Sequence, residues 1–377
     1  MNILISGAGI AGLTLAKRLL MEGYQPTIIE KATTFRSVGS MVELNQDAIT
    51  VLKKMGLIDE IQKRNVKLAK RQFLDAKGNL LYELSMKTTK GSELERVLIH
   101  RFTWHDILYR SVYEHIPIQF GSNIQALSED ETGIQVTFQN GIQQHYDLVI
   151  GADGVHSQTR KLLLGNQYEQ HEDIGYMVFT IKNPIIKKMP VHLEMGINYA
   201  TYLPGFYLQF GFDENYAAGL FMYQKDRNIK FSGEQKKTFL LQKCKSIEWG
   251  IHQVIEQIDP AYIYEDTMSI INLPEWSKGR TVWVGDAAHA MTFMLGTGGG
   301  KAMLGADRLV NALMETTNYK EAFSKYESLH RIDVERLQQK SVEAAKFTIS
   351  NSLEEFKQKN LLLQHAPDQL LKRYSSE

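Results

Sequence analysis

Residues 1–30 read MNILISGAGIAGLTLAKRLLMEGYQPTIIE, and the remainder of the chain is organised around this stretch. Its apolar runs and glycines predict a strand over residues 2–6 and a tight turn, GAGIAG, over residues 7–12. A helix should follow to about Glu22, and a second strand is expected over residues 26–30. This order of strand, turn, helix and strand is a βαβ unit, which predicts an α/β fold.

The glycines of the turn have separate mechanical roles. Gly7 permits the tight turn, Gly9 lets backbone N–H groups approach a pyrophosphate, and Gly12 lets the helix pack closely on the strand. The positive amino end of the helix then attracts phosphate. Glu30 ends the second strand where a carboxylate can accept hydrogen bonds from ribose hydroxyls. Because that carboxylate would repel a 2′-phosphate, the tightly bound dinucleotide should be FAD or NAD rather than NADP.

Composition limits the possible partners and compartments. The chain has 377 residues, 43% of them hydrophobic, which is enough for two interleaved domains. Lys plus Arg and Asp plus Glu are both 43, so no excess charge drives nucleic-acid or anionic membrane binding. Cys244 is the only cysteine, which excludes an internal disulfide and fits a reducing compartment. Without a basic targeting region or a long apolar run, we expect a cytoplasmic protein.

Two further glycine-bearing turns repeat the logic of the first. Residues 146–150 predict a buried parallel strand that leads into GADGVHS at 151–157. Residues 281–284 predict another, which leads into GDAAH at 285–289, and GTGGG at 296–300 should open a helix. Since the carboxyl ends of such strands meet at one edge of a sheet, the three turns predict a single ligand crevice.

The middle of the chain differs from the rest in its composition and residue pattern. Residues 175–224 are strand-like and rich in aromatic residues, and Tyr202, Pro204, Phe206 and Leu208 recur with period 2. This predicts an antiparallel sheet with one face directed inward. The aromatic residues are either a core packed on a helix near 236–245 or a wall for a planar substrate, and the two interpretations can hold for opposite faces.

Shorter signals place the remaining elements. They predict a helix over Gln46–Lys54, a hairpin over residues 71–86 and another hairpin at Asn140-Gly141. A capping-box-like pattern suggests that a helix starts at Thr103. The charged, helix-prone residues 319–374 are expected to form a buttress or a dimer surface.

The three turns together resemble the group A flavoprotein monooxygenases, the family of para-hydroxybenzoate hydroxylase and the tetracycline-inactivating monooxygenases. GAGIAGL with Glu30 resembles the site for the AMP half of FAD. IGADGVHSQTR at 150–160 resembles the DG motif, and residues 285–309, GDAAHAMTFMLGTGGGKAMLGADRL, resemble the GD motif. The match runs to about residue 330 and is weakest across 170–270.

The resemblance implies the fold and its division into domains. The fold would be an FAD-binding Rossmann-like domain of the GR2 type, interleaved with a mostly antiparallel β substrate domain and followed by a C-terminal helix. Residues 1–70, 98–172 and 268–330 would form the FAD-binding domain. Residues 71–97 and 173–267 would form the substrate domain, and 331–377 the C-terminal helical segment.

The resemblance also implies cofactor contacts at twelve positions, which are Gly7, Gly9, Ala11, Gly12, Glu30, Arg36, Arg101, Asp153, Asp286, Gly296, Gly298 and Gly299. Glu30 would hold the adenosine ribose, and Ala11 the pyrophosphate through its backbone. Asp286 would bond the ribityl hydroxyls, and both arginines would lie beside the flavin or pyrophosphate. The amides of residues 296–300 would face the pyrimidine end of the flavin. A helix-cap role for Asp286 and a purely structural role for Asp153 stay open.

Substrate contacts are expected from Tyr202, Phe210, Phe221 and Phe293. No catalytic acid or base is assigned, and a structural role is expected for His289. No histidine pattern has metal-ligand spacing. Phe293 and Thr297 stand where many relatives have Pro and Gln, and Gly299-Gly300 should make that loop more flexible.

By this resemblance the protein is a monooxygenase that hydroxylates an aromatic or polycyclic small molecule through a flavin C4a-hydroperoxide. NADPH or NADH would be the transient reductant and O₂ the oxidant, since the chain has no second nucleotide fold. A homodimer stays open. The alternatives are a flavin dehydrogenase or reductase, and a flavin-loaded binding protein. The four tryptophans lack the WxWxIP pattern of the flavin-dependent halogenases, which counts against that family.

Overall fold

A computed structural model describes residues 1–35, 39–85, 97–182, 193–225, 231–349 and 352–365. The strands are β1 Ile3–Ser6, β2 Thr27–Glu30, β3 Met41–Leu44, β4 Lys70–Leu74, β5 Leu80–Ser85, β6 Val97–His100, β7 Ile118–Phe120, β8 Ile124–Glu129, β9 Ile134–Phe138, β10 Gln143–Tyr146, β11 Leu148–Gly151, β12 Glu169–Lys182, β13 Ile197–Leu203, β14 Phe206–Phe212, β15 Tyr216–Gln224, β16 Ile263–Ile271, β17 Ser277–Lys278 and β18 Thr281–Trp283. The helices are α1 Ile10–Met21, α2 Gln46–Lys54, α3 Ile58–Lys63, α4 Arg101–Tyr113, α5 Gln158–Leu164, α6 Glu234–Lys243, α7 Ile251–Glu256, α8 Asp286–His289, α9 Gly298–Glu315, α10 Tyr319–Thr348 and α11 Leu353–His365.

The first sheet contains the predicted βαβ unit. Its order is β17-β18-β11-β1-β2-β7, and all neighbours are parallel except β17 and β18. The strands β1 and β11 are buried along their whole length, as expected for a parallel sheet covered on both faces. Consequently β1, β2 and β11 end side by side, and their carboxyl ends form one edge.

The second sheet is larger and mostly antiparallel. Its order is β16-β12-β15-β14-β13-β4-β5, and the pair β13 and β4 is parallel. One face packs on α6 and α7 through residues that include Leu208, Phe210 and Phe221. The other face packs on the end of α10 and on the segment that contains Phe293. We call this second surface the inner face of the sheet.

The fold class predicted from the sequence is confirmed, since a mostly parallel sheet and a mostly antiparallel sheet are both combined with helices. The hairpins at 71–86 and 140–141 are also present. The helix α2 has the predicted bounds. The long helix α10 buries Ala322, Phe323 and Tyr326 against the first core, which fits the predicted buttress.

Two local predictions were wrong. Helix α4 begins at Arg101 rather than Thr103, because β6 runs directly into it and the Arg101 N–H bonds the Ser40 carbonyl at 3.0 Å. The period-2 series from Tyr202 to Leu208 does not follow one strand. Pro204 and Gly205 form a turn between β13 and β14, so Tyr202 lies on the inner face and Phe206 on the opposite face.

Candidate functional site

The glycine turn after β1 has the geometry that close backbone packing demands. Gly7 has φ 109°, and a Cβ there would lie 2.4 Å from the Ala152 carbonyl oxygen. A Cβ on Gly12 would lie 1.9 Å from the Gly7 carbonyl oxygen. Gly9 differs, because a Cβ there would have no neighbour within 4 Å. Gly7 and Gly12 are therefore required by the protein itself, whereas Gly9 faces open space.

The amino end of α1 has the features of an anion-binding site. No side chain caps this helix at Gly9, and its first turn contains no acidic residue. The first-turn N–H groups, including that of Ala11, have no intrahelical acceptors. With the helix dipole, they form a site of positive potential at the mouth of the turn.

Glu30 lies opposite this helix end, and two backbone groups hold its carboxylate. One oxygen accepts from the Ala8 N–H at 3.0 Å and the other from the Ala32 N–H at 2.8 Å. Beside it is a cleft of about 170 Å³ at the carboxyl ends of β1, β2 and β11. Sequence reasoning missed part of its lining, which includes Lys31, Ser122, Asn123 and Gln158. These residues carry no motif, so only the fold brings them to the cleft.

Asp153 borders the same cleft, but both its oxygens are engaged. They accept from the Thr159 N–H at 2.9 Å and from the Thr159 hydroxyl at 3.1 Å. This favours the structural role that the sequence left open. Arg160, which is 1% exposed, donates to the carbonyls of Ala287 at 2.9 Å and Val155 at 2.6 Å. It therefore ties the DG motif to the GD motif.

Protein atoms surround Asp286 closely, yet its side chain is exposed. Burial of the surroundings raises the pKa of its carboxyl, and the positive charge of Arg101 opposes that rise. Its helix is preceded by Gly285, and no side chain caps it. In the described part of the chain the Asp286 carboxylate has no hydrogen-bond donor, so a helix-cap role does not explain it. Arg101 is also exposed, and it packs against Gly39.

The GD-motif glycines begin a tightly packed helix. Gly296 has φ 65° and precedes α9, whose first residue is Gly298. A Cβ on Gly299 would lie 2.7 Å from the Trp104 ring, and one on Gly300 would lie 1.8 Å from the Asn45 amide oxygen. The expectation that Gly299-Gly300 loosens a loop was therefore wrong. These glycines belong to the first helical turn, where they allow close packing.

The four expected substrate residues lie on two different faces of the second sheet. Phe293 is partly exposed on the inner face, 4.9 Å from the ring of Tyr176 in an edge-on contact. Tyr202 shares that face, but Lys359 covers its ring at 5.0 Å. Phe210 and Phe221 are fully buried against α6 and α7 on the opposite face. The expectation that they contact substrate was therefore wrong. Arg36 lies outside the described residues.

A polar cluster at the edge of the inner face was not expected. Tyr264 donates to Asp266 at 2.6 Å, and the imidazole of His156 contacts Asp266 at 3.1 Å and Glu169 at 2.6 Å. The hydrogen bonds to Asp266 and Glu169 raise the pKa of His156 to about 9. Tyr176 packs on Tyr264 with ring centroids 6.1 Å apart. Since His156 and Asp266 are 110 residues apart, no sequence pattern could reveal the pair.

His289 follows Asp286 by one helical turn but is 3% exposed. Burial lowers the pKa of its imidazole to about 3, so it is neutral at pH 7. Its ring packs 4.7 Å from Trp276 and 5.1 Å from His330. This burial supports the structural role expected for it. Among the described residues, no group of three or more His, Cys, Asp or Glu side chains is arranged so that it could hold a metal ion. No helix in the described ranges is both long and apolar enough to cross a membrane.

Comparison with known proteins agrees with this geometry. The FAD binding domain family matches residues 1–339. A flavin-dependent monooxygenase from an unknown prokaryotic organism is 29% identical over 346 residues, which are 90% of this chain and 87% of that protein. The crystal structure of tetracycline destructase Tet(55) is 27% identical with a TM-score of 0.79, covering 96% of this chain and 94% of that one. The structure of Klebsiella pneumoniae HpxO with FAD and uric acid has a TM-score of 0.84 at 18% identity, covering 99% and 95%.

The chain belongs to the FAD binding domain family. Within that family it is a flavin-dependent monooxygenase, an oxidoreductase that uses FAD. The predicted family resemblance, enzyme class and flavin cofactor are thereby confirmed.

Proposed function

We propose that this enzyme hydroxylates an aromatic or polycyclic small molecule, with O₂ as the oxygen source and NADPH or NADH as a transient reductant. The supporting observation is the position of Phe293, a partly exposed residue of the GD motif that packs on the inner face of the second sheet. The inner face offers the aromatic rings of Tyr176 and Phe293, and Phe293 belongs to the same motif as the candidate flavin residue Asp286. The tetracycline destructase relative supports a polycyclic substrate, since its name states one.

The residues present fit FAD. The open space at Gly9, the uncapped α1 and the exposed carboxylate of Asp286 each suit a different part of the cofactor. We propose that Glu30 holds the adenosine ribose, the Ala11 N–H the pyrophosphate and Asp286 the ribityl chain. The amides at the start of α9 would hold the pyrimidine edge. When bound, FAD supplies the redox chemistry and the activation of oxygen.

The remaining residues of the cleft bind, orient and exclude water. The Phe293 and Tyr176 rings form an apolar contact that can hold a planar ring and keep the site dry. Asp266 fixes the hydroxyl of Tyr264, because it accepts a hydrogen bond from that hydroxyl and is itself held by His156. Arg101 places a positive charge near Asp286.

Purified protein tests the proposal directly. We expect it to carry FAD, and a panel of phenols and polyketides should include compounds that couple NAD(P)H oxidation to incorporation of oxygen. Product mass measured with labelled O₂ would show the inserted atom. Turnover that persists without oxygen would favour a dehydrogenase or reductase. Tight ligand binding with only unproductive NAD(P)H oxidation would favour a binding protein.

The proposal extends to the division into domains, the oligomeric state and the cellular location. We propose the FAD-binding domain at 1–70, 98–172 and 268–330 and the substrate domain at 71–97 and 173–267, supported by membership of the two sheets. Residues 331–377 would be the C-terminal helical segment, which begins within the continuous helix α10. The exposed Leu329 and Ile332 on α10 support a homodimer. The buried thiol of Cys244, the only one in the chain, supports a cytoplasmic location.

A further inference from the structure

The inner face of the second sheet carries a positive charge that the proposed function has not used. Arg71 lies on β4, directly beside Asn198 on β13, and two residues from Phe73 of the inner face. Its Nε donates to the Asn198 amide oxygen at 2.8 Å, and Asn198 is 1% exposed. This bond fixes the plane of the guanidinium and leaves the terminal nitrogens for another partner.

The charge of Arg71 is not neutralised by the described protein. The adjacent Lys70 points to the opposite side of the strand and pairs with Glu83 at 3.0 Å. Arg71 is partly exposed, and no described carboxylate forms an ion pair with it. Lys359, a second cation on the inner face, is 3% exposed and donates to the Thr348 carbonyl at 2.8 Å. Arg71 is therefore accessible where Lys359 is not.

A second donor, Gln209, lies on the same inner face, two strands from Arg71. The Tyr207 hydroxyl donates to the amide oxygen of Gln209 at 2.8 Å, which leaves the Gln209 NH₂ group as the outward donor. Burial raises the pKa of Tyr207, and the positive charge of Arg71 opposes that rise. Gln209 pairs with Leu220, and both are partly exposed at the centre of an otherwise buried sheet.

These groups make a surface of one chemical character. It presents N–H donors from Arg71 and Gln209 among apolar side chains that include Phe73 and Leu220. A paired guanidinium edge matches the two oxygens of a carboxylate, and such a bidentate pair is among the stronger polar interactions in proteins. We propose that Arg71 binds a carboxylate of the substrate, with Gln209 as a further donor to the same ligand, so that the enzyme acts on aromatic or polycyclic acids. This inference rests on the proposed function and specifies its substrate class.

The test compares a hydroxynaphthoate with the matching hydroxynaphthamide, which has the same shape without the charge. Calorimetry on the FAD-loaded enzyme should show the acid bound about 10-fold to 100-fold more tightly than the amide. Arg71→Gln should abolish this preference by weakening acid binding, with amide binding changed less than about 3-fold. Arg71→Lys should retain part of the preference, because it keeps the charge but loses the fork.

Lys70→Gln is the matched control, since it removes the same charge from the opposite side of the same strand and should leave both affinities unchanged. The inference is overturned if wild-type enzyme binds acid and amide equally, if Arg71→Gln keeps the preference, if Lys70→Gln loses it equally, or if neither compound binds. Oxygen insertion into neutral polycyclic phenols without any acid preference would leave the proposed function standing and refute only the carboxylate site. Absence of oxygen insertion with preserved acid binding would refute the function alone.

Discussion

The nucleotide crevice at the carboxyl ends of β1, β2 and β11 and the inner face of the second sheet are built in different ways. The crevice is made of backbone, with glycines at Gly7 and Gly12 that admit no Cβ and helix ends that present N–H groups. The inner face is made of side chains from strands far apart in the chain, such as Arg71 and Asn198. Backbone sites suit an invariant phosphate-bearing cofactor, whereas side-chain surfaces can change with the substrate without disturbing the fold.

The strongest test of this difference adds one methyl group to the backbone of the crevice. Gly12→Ala places a Cβ against the Gly7 carbonyl, 1.9 Å away in the present backbone, so we expect little folded protein or a loss of about 3 kcal/mol or more in the free energy of unfolding. Gly9→Ala is the control, because its Cβ meets nothing. Gly9→Ala should keep its stability within about 0.5 kcal/mol while binding FAD more weakly. Urea unfolding and FAD titration measure the two effects, and a stable Gly12→Ala protein would contradict the packing argument.

Substitutions on the two faces of the second sheet should also differ in their effects on stability and on ligand binding. Phe210→Ala removes a fully buried ring from the core on α6 and α7, so the free energy of unfolding should fall by about 3–5 kcal/mol. Phe293→Ala removes a partly exposed ring and should cost only about 1–2 kcal/mol, but it should weaken binding of aromatic ligands. Denaturation and ligand titration on both variants test this. Equal losses of stability would show that Phe293 is a core residue like Phe210.

The same contrast explains which features could be predicted from sequence. The βαβ unit and α2 follow from contiguous residues, so their bounds were predicted to within one residue or two. The face on which Phe210 and Phe221 lie depends on the turns between strands, including the turn at Pro204 and Gly205. That turn reverses the alternation of side chains, so the period-2 pattern predicted one strand where there are two. Arg71 and Asn198 are 127 residues apart, so their contact has no local signal. Motif-based reasoning therefore finds the nucleotide crevice and leaves the inner face of the second sheet to the structure.

Asp286 should show opposite effects on stability and on cofactor binding. Because burial raises the pKa of its carboxyl above 3.8, the folded protein without FAD loses stability as pH rises above 3.8 through the folded pKa, and the penalty is complete above it. Asp286→Asn removes this penalty, so the flavin-free variant should melt at a higher temperature than wild type at pH 7. Its affinity for FAD should fall about 10-fold or more, because a charged acceptor is lost. A variant that melts lower and binds FAD normally would assign Asp286 a structural role.

The smallest effect is expected at His156, where the inner face meets the DG motif. Its contacts with Asp266 and Glu169 raise its pKa from 6.5 to about 9, so the stabilisation is complete below pH 6.5 and is lost as pH rises through about 9. His156→Gln should therefore lower stability at pH 6 by about 1 kcal/mol or less, since a side chain that is 39% exposed is screened by solvent. The difference from wild type should vanish by pH 10. Melting temperatures of both proteins across this pH range measure it, with His171→Gln as the control, because His171 lies 3.8 Å from the same Glu169 but is 45% exposed. A pH-independent difference would mean that His156 acts through packing, and the polar cluster would then belong with the backbone-defined crevice rather than with the adaptable side-chain surface.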